Sequence, residues 1–204
     1  MLLVGLQKSV HMKTQSESVT LVGDAVTTNL ARAALFAALT GVFAYVSFPS
    51  PLSPVPITLQ VMGVFLAGVY LGPVWGGLSM AVYLGAGAVG APIFSGGTAG
   101  IGPLLGFTGG YLWSYPFAAA LIGFLAHGPS SLSDPQKQST VRLIGAMVAG
   151  TALIYTLGTI GFAIVQNVGL IDAFLVSAVA FIPFEAIKMA ATIGIVRNEH
   201  AVAN

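Results

Sequence analysis

Long apolar runs, separated by short segments rich in proline, glycine or polar residues, make up most of this chain. A run of ~20 apolar residues is long enough to cross the hydrocarbon core of a bilayer as a helix. Six such segments can be read along the chain, at residues 30–48, 57–71, 75–89, 111–126, 141–165 and 183–197. The pattern therefore predicts an all-α bundle of six transmembrane helices.

The second and third segments are short. Each holds about 15 residues, so as a helix it would be roughly 22 Å long, less than the thickness of the hydrocarbon core. They are separated by Gly72 and Pro73, a pair that interrupts helices. Non-helical backbone at membrane depth is tolerated only where it is buried in protein or lines a cavity. The short segments therefore predict a cavity within the bundle.

Two irregular segments flank these short helices. Residues 49–56 contain four prolines, which predicts a stiff and extended loop. Residues 90–111 are rich in glycine but also carry large apolar side chains such as Phe94. Glycine lets the backbone approach a ligand closely, and an ordered loop of this length is usually functional. We interpret residues 90–111 as the wall or lid of a binding site.

The last apolar region can be interpreted in two ways. Residues 173–196 could form one continuous helix that is kinked at Pro183. Alternatively, a short helix ends near Phe181 and a new one begins with Pro183 in its first turn, where the missing N–H of proline costs nothing. It places Glu185 in that first turn, at the positive end of the helix dipole. We favour the second interpretation, because it makes the last helix, residues 183–197, another short one like the second and third.

Composition then indicates the surroundings of the protein and the kinds of partner it can have. With 56% hydrophobic residues, 6% charged residues and a mean hydropathy of +0.92, the chain lies far outside the range of water-soluble domains. We predict an integral membrane protein surrounded by lipid. Its six-helix membrane domain covers residues 29–197, between cytoplasmic tails at 1–28 and 198–204. The formal net charge of +1 gives no reason to expect a nucleic-acid partner.

The positions of the basic residues predict the orientation in the membrane. If the N-terminus is cytoplasmic, most of the basic residues lie on or beside the cytoplasmic face: Lys8, Lys13, Arg32, Lys137, Arg142 and Arg197. Because basic residues concentrate on that side, both termini are predicted to be cytoplasmic, in the plasma membrane. The two irregular segments and the start of the last helix then meet at the outer face. There they would form an outward-facing cup for a ligand.

Glu185 and Lys188 stand three residues apart within an otherwise apolar segment. An ionisable side chain at the centre of a bilayer costs roughly 2.5–3.5 kcal/mol on insertion scales, so it is kept where it is paired, hydrated or functional. In one interpretation the two residues only neutralise each other on one helix face. In the other, with a helix that starts at Pro183, they form a polar clamp at the outer end of the last helix.

Enzyme chemistry has little support in the sequence. His11, His127 and His200 all fall in predicted tails or loops, which leaves no base beside a serine in the membrane. Without cysteine or a histidine pair, a zinc site has too few ligands, and no metal is expected. An ion- or proton-coupled carrier of a small solute stays open as an alternative, because an acid beside a base can relay protons.

Five short motifs occur in an order that resembles the BioY family, the biotin-specific substrate-binding (S) components of energy-coupling factor (ECF) transporters. They are Ala34-Leu35-Phe36-Ala37-Ala38-Leu39, Val55-Pro56-Ile57-Thr58-Leu59-Gln60, Gly90-Ala91-Pro92-Ile93-Phe94-Ser95-Gly96-Gly97, Thr108-Gly109-Gly110-Tyr111 and Glu185-Ala186-Ile187-Lys188. The resemblance covers about residues 29–197. It implies six helices, high-affinity capture of biotin on the outer side, and a transport subunit that is not an enzyme.

The resemblance also implies partners. Small residues repeat at four-residue spacing in the first helix, with Ala33 and Ala37 in one row and Ala34 and Ala38 in the next. From spacing alone, such rows allow close packing either within the bundle or against another subunit. The family implies contact with a transmembrane coupling subunit that carries two ATP-hydrolysing subunits. This chain would bind no cofactor, and its partners would use the ATP.

The chemistry of biotin suits a defined set of side chains. A carboxylate such as Glu185 can accept from the ureido N–H groups, and Lys188 can donate to the ureido carbonyl. Apolar and neutral polar contacts are expected from Gln60, Tyr83, Phe94, Thr108 and Tyr111. For the two tyrosines, packing or interfacial anchoring is an equal alternative. Gln60 could equally tie down the unusual loop backbone.

The chain departs from the family pattern at two places. The last helix of the family resembles Pro-Gly-Asp-x-x-Lys, where this chain has Phe184 and Glu185 after the proline. Before the fourth segment, Phe107 stands where the family has proline. Glu185 keeps the charge but reaches one methylene further. We therefore expect the ligand class to be kept and the contact geometry to differ.

Overall fold

Helices form most of the fold. The structure is a computed structural model, and it describes residues 23–51, 53–129 and 132–202. The main elements are α1 (Asp24–Tyr45), β1 (Ser47–Ser50), β2 (Ser53–Thr58), α2 (Gln60–Ala88), α3 (Gly102–Leu105), α4 (Gly109–His127), α5 (Thr140–Gln166), α6 (Leu170–Ser177) and α7 (Ile182–Val202). Of the predicted tails, residues 1–22 and 203–204 lie outside the described residues. α1 begins before residue 29 and α7 ends after residue 197, so both extend beyond the predicted membrane domain.

Four of the described helices, α1, α2, α4 and α5, are long and apolar enough to cross a membrane. Leu170–Ser177 and Ile182–Asn198, bent by 51° at their break, would together make a fifth span. α2 contains one residue with non-helical backbone, Gly72, beside Pro73. The predicted helical membrane fold is confirmed. Its six segments are compatible with the structure if the two arms of α2 are counted separately.

The two arms of α2 fold back on each other at Gly72. This residue has a φ of 74°, a conformation that favours glycine. A Cβ added to Gly76 would lie 2.9 Å from the Ala67 carbonyl oxygen and 3.1 Å from the Gly68 Cα. In a straight helix these positions would be roughly 12 Å apart or more. The predicted break at Gly72 and Pro73 is therefore a sharp turn.

α2 lies at the centre of the packing, with α1 on one side and α4 on the other, and α5 packs against α4. Glycine sets the closest approach between α4 and α5, because Gly110 faces Gly158 and Gly161 with backbone against backbone. Helices in lipid associate through such close packing, since apolar side chains gain nothing by leaving the lipid.

We expect Gly110→Ala to destabilise the protein. The new methyl group would meet the Leu157 carbonyl oxygen and approach the Cα atoms of Gly158 and Gly161 to 3.2 and 3.1 Å. Overpacking of this kind costs about 1–3 kcal/mol. Gly145→Ala on α5 is the matched control, because a Cβ there meets open space. Melting temperatures in detergent should fall for Gly110→Ala and not for the control; equal values for the two variants would contradict this packing.

The small-residue rows of α1 have different surroundings. Ala33 is 0% exposed and Ala37 is 5% exposed, both buried together with Gly41, and the Ser79 hydroxyl of α2 donates to the Ala33 carbonyl at 2.7 Å. Ala34 and Ala38 are exposed. The structure therefore assigns the first row to packing within the bundle. Of the two predicted rows, only the one formed by Ala34 and Ala38 presents side chains at the surface, where a partner subunit can contact them.

The proline-rich segment is extended, as predicted, but the sequence did not reveal that it pairs with its neighbour. β1 and β2 form a two-stranded antiparallel ribbon in which Ser47 pairs with Thr58 and Phe48 with Ile57. Prolines are tolerated at the edges of strands, where their missing N–H breaks no ladder bond. Pro54 lies two residues from Pro56, so both occupy the same edge of β2. The ribbon carries the chain from α1 into the start of α2.

The end of the chain follows the second of the two interpretations. α6 ends at Ser177, a short 3₁₀ turn follows at Val179–Phe181, and α7 begins at Ile182. Pro183 therefore lies in the first turn of a new helix. Glu185 lies in the same turn, so the pair with Lys188 is near the end of a helix and beside the break between α6 and α7.

Candidate functional site

A cavity opens between β2, the loop after α2, and helices α4, α5 and α7. Its space free of protein atoms is about 630 Å³, part of it open to solvent. Its wall is mostly apolar, with a few polar side chains. The predicted wall segment contributes Phe94, Ser95, Thr98, Pro103 and Thr108.

Most of the predicted site residues meet at this cavity. Those that line it are Gln60, Phe94, Thr108, Tyr111, Glu185 and Lys188. They come from three helices and from the irregular segment, and they are far apart in the sequence. Tyr83 is the exception among the predicted residues, since the described lining does not include it.

The Glu185–Lys188 pair is the polar centre of the cavity. Each residue is only 4% exposed, and Lys188 Nζ donates to Glu185 Oε1 at 2.6 Å. The Tyr155 hydroxyl of α5 donates to the same oxygen at 3.2 Å. Glu185 Oε2 is buried and has no hydrogen-bond partner among the described residues. Because an unsatisfied buried acceptor is unfavourable, this oxygen is suited to receive an N–H or O–H of a ligand.

Tyr83 lies outside the described lining of the cavity, so the structure adds no support to its predicted contact with the ligand. Its side chain is fully buried. Its hydroxyl accepts from Gln60 Nε2 at 2.5 Å and donates to the Ile93 carbonyl at 2.8 Å. The Thr58 hydroxyl donates to the Gln60 carbonyl oxygen at 2.9 Å. These contacts favour the packing alternative for Tyr83, because its hydroxyl donates one hydrogen bond and accepts one within the protein.

The same contacts bear on Gln60. Both ends of its side-chain amide are engaged, one with Thr58 and one with Tyr83. The chain of hydrogen bonds joins the end of β2 to the loop at Ile93. Gln60 thus ties down the irregular backbone, as one of its two interpretations held, and it also forms part of the cavity lining.

Tyr111 fixes the break between α6 and α7. Its hydroxyl lies 2.6 Å from the Ser177 carbonyl oxygen, to which it donates, and 2.7 Å from the Ser177 hydroxyl, from which it accepts. Its ring meets that of Tyr155 edge to face, with centroids 6.3 Å apart. The contact ties the end of α6 to α4. Tyr111 therefore supports the position of Glu185 in addition to lining the cavity.

Thr108 and Phe94 complete the predicted set. The Thr108 hydroxyl makes only a long bond, 3.4 Å, to the Pro103 carbonyl, which leaves it able to bind a ligand. Phe94 is 1% exposed and packs edge to face on Tyr83, with centroids 5.5 Å apart. Gly87 lies directly beneath its ring, where any larger residue would collide with it.

Sequence reasoning missed several residues of the cavity. They include Thr58, Tyr115, Tyr155, Ser177 and Phe181. A hydroxyl within an apolar span is the one signal that points to Tyr155 and Tyr115, because buried hydroxyls in lipid need a partner. Nothing in the sequence marks Ser177, whose role depends on where α6 breaks. Within the described ranges, no three His, Cys, Asp or Glu side chains come together as metal ligands would.

Two kinds of comparison relate the chain to known sequences. A sequence model of the BioY family matches residues 12–204. Similar proteins include the biotin transporter BioY of Thermotoga maritima, 39% identical over 155 residues that cover 76% of this chain and 83% of that protein. The probable biotin transporter BioY of Pyrococcus horikoshii is 38% identical over 160 residues, which cover 78% of this chain and 88% of that protein.

The fold is also similar to a solved structure. This is the S-component for biotin from an ECF-type ABC transporter, a crystal structure at 2.1 Å. The TM-score is 0.75 at 28% sequence identity, and the match covers 89% of this chain and 95% of that chain. Sequence and fold thus agree over nearly the whole described chain. The chain therefore belongs to the BioY family, a family of membrane transport proteins and not of enzymes.

Proposed function

We propose that this chain is a membrane subunit that binds biotin with high affinity and mediates its uptake. One observation carries the proposal: a largely apolar cavity holds a buried Glu185–Lys188 pair in which Glu185 Oε2 has no partner among the described residues. Biotin combines an apolar bicycle and chain with a ureido group that both donates and accepts hydrogen bonds. The names of the similar proteins support the same ligand.

The ureido group matches the pair atom by atom. One of its N–H groups would donate to Glu185 Oε2. The ureido carbonyl would accept from Lys188 Nζ, which carries three hydrogens and uses one of them on Glu185. The apolar ring and chain would lie against Phe94, Tyr111 and Tyr115. In this arrangement the polar pair binds a neutral ligand group without losing its own charge balance.

The membrane arrangement belongs to the same proposal. The cavity faces the outside of the plasma membrane, and both termini are cytoplasmic. The distribution of the basic residues supports this orientation. Residues 29–197 form the membrane domain between the tails at 1–28 and 198–204.

Uptake would be driven by an ECF coupling module. A transmembrane coupling subunit would contact α1 at Ala34 and Ala38, and two ATPase subunits would hydrolyse ATP for transport. This chain would itself bind no cofactor. Support comes from the exposure of these two alanines and from the fold likeness to a component of an ECF-type transporter.

The test is direct binding of biotin to the purified protein in detergent, with no ion gradient. We expect binding of one biotin per chain, unchanged when sodium is replaced by potassium. A vitamin without a ureido group, such as thiamine, serves as the control ligand. The alternative of an ion-coupled carrier predicts binding that depends on a sodium or proton supply. If biotin does not bind in either sodium or potassium, with or without an ion supply, the proposal is rejected.

A further inference from the structure

Charge is scarce on the wall of the cavity. Among the described lining residues, Glu185 and Lys188 are the only ones with a charged side chain, and their charged atoms lie 2.6 Å apart. Their formal charges cancel. The other polar groups of the lining are hydroxyls and one amide: Thr58, Gln60, Ser95, Thr98, Thr108, Tyr111, Tyr115, Tyr155 and Ser177. The lining that the structure describes therefore presents no uncompensated positive charge.

This arrangement does not suit a ligand carboxylate at the floor of the cavity. Lys188 is already engaged by Glu185, and Glu185 Oε2 is an acceptor that has no partner in the described part of the chain. A second carboxylate beside Lys188 would stand close to this oxygen, and two like charges in a buried site disfavour each other. Burial of a carboxylate without a cation of its own is strongly unfavourable even after relaxation.

The more exposed part of the cavity lining can hold a carboxylate without a cation. Thr98 is exposed and Ser95 is half-buried, whereas Glu185 and Lys188 are buried. Thr98 and Ser95 therefore mark the solvent side of the cavity, and both are neutral. A carboxylate there keeps part of its hydration, and water satisfies it as well as a protein group would.

We infer that the site recognises the neutral ureido end of its ligand at Glu185 and Lys188 and does not select for the ligand's negative charge. Neutral derivatives of the carboxyl end, such as the amide and the alcohol of biotin, are then ligands of the same site. This inference rests on the proposed function and deepens it. It defines the substrate class as ureido bicycles with a short chain whose end is polar and either neutral or charged.

Competition binding to the purified full chain tests the inference. The probes are biotin, biotin amide, the alcohol biotinol, and biotin methylated on one ureido nitrogen. The amide and the alcohol should bind within about fivefold of biotin, because an exposed charge contributes little. Methylation should lower the affinity roughly 100-fold or more, since it removes a donor and leaves a buried acceptor unpaired.

The possible outcomes distinguish failure of this inference from failure of the proposed function. If biotin binds and the amide and the alcohol both lose roughly 100-fold, the carboxylate is paired with a cation, and the inference is overturned while the proposed function stands. If methylation has no effect, the ureido end does not contact Glu185, and the inference is likewise overturned. If biotin itself does not bind, the proposed function fails and the inference fails with it.

Discussion

Lys188→Ala is expected to abolish high-affinity biotin binding while the protein stays folded. Lys188 is 4% exposed and donates to Glu185 at 2.6 Å, so its removal takes away a ligand donor and the cation that compensates Glu185. Truncation of one partner of a buried charge pair costs about 2–5 kcal/mol, a loss of affinity of roughly 30- to 5,000-fold. Titration calorimetry with biotin on the purified variant measures it.

A double variant in which both residues are neutral distinguishes loss of biotin binding from loss of folding. In Lys188→Ala the Glu185 carboxylate keeps only the Tyr155 hydroxyl as a donor among the described residues, and such a group can destabilise the protein. Glu185→Gln combined with Lys188→Met removes both charges, so it should melt close to the parent and still fail to bind. Ile187→Ala on the exposed face of α7 is the matched control and should bind normally. Unchanged affinity in either Lys188 variant would remove the pair from the site.

Ala34→Leu is expected to leave biotin binding intact and to prevent assembly and uptake. Ala34 is exposed on α1 and points away from the buried row, so a larger side chain there does not disturb the bundle. Small residues let a partner helix approach closely, and a leucine at the contact holds the two backbones apart. Biotin uptake by cells should fall to the background level. Co-purification with the coupling and ATPase subunits should be lost as well.

Two other alanines make this experiment specific. Ala152→Leu introduces the same bulk at an exposed position of α5 and should assemble normally. Ala33→Leu would not be informative about assembly, because Ala33 is 0% exposed on the inner face of α1 and its enlargement disturbs packing against α2. If the complex forms with Ala34→Leu at the yield of the Ala152→Leu control, the proposed contact face is wrong.

Local features of the sequence predicted much of the fold. The break at Gly72 and Pro73 and the start of a new helix at Pro183 are both present in the structure. Each depends on a backbone property of the residue itself, a positive φ for glycine or a missing N–H for proline. The paired strands were not predicted, because the pairing of residues 47–58 depends on a turn and on contacts that proline content does not specify.

The candidate site was predicted as a set of residues and only partly as an arrangement. Six of the predicted side chains line one cavity, which follows from their positions at the ends of short helices and in the irregular segment. The structure differs from the sequence-based expectation at two tyrosines. Tyr83, an expected contact, has its hydroxyl bound within the protein, while Tyr155, which was not expected, donates to Glu185.

By itself, the sequence determined that this is a helical membrane protein, where its helices break, and that Glu185 and Lys188 share one helix face. Each of these follows from composition and spacing over a few residues. Tertiary structure alone decided that the Ala33 row is covered, that Tyr155 stands beside Glu185, and that Glu185 Oε2 has no hydrogen-bond partner among residues 23–51, 53–129 and 132–202. The physical reason is that burial and hydrogen-bond partners depend on how helices that are distant in the sequence pack together. No local sequence pattern specifies which of these helices come into contact.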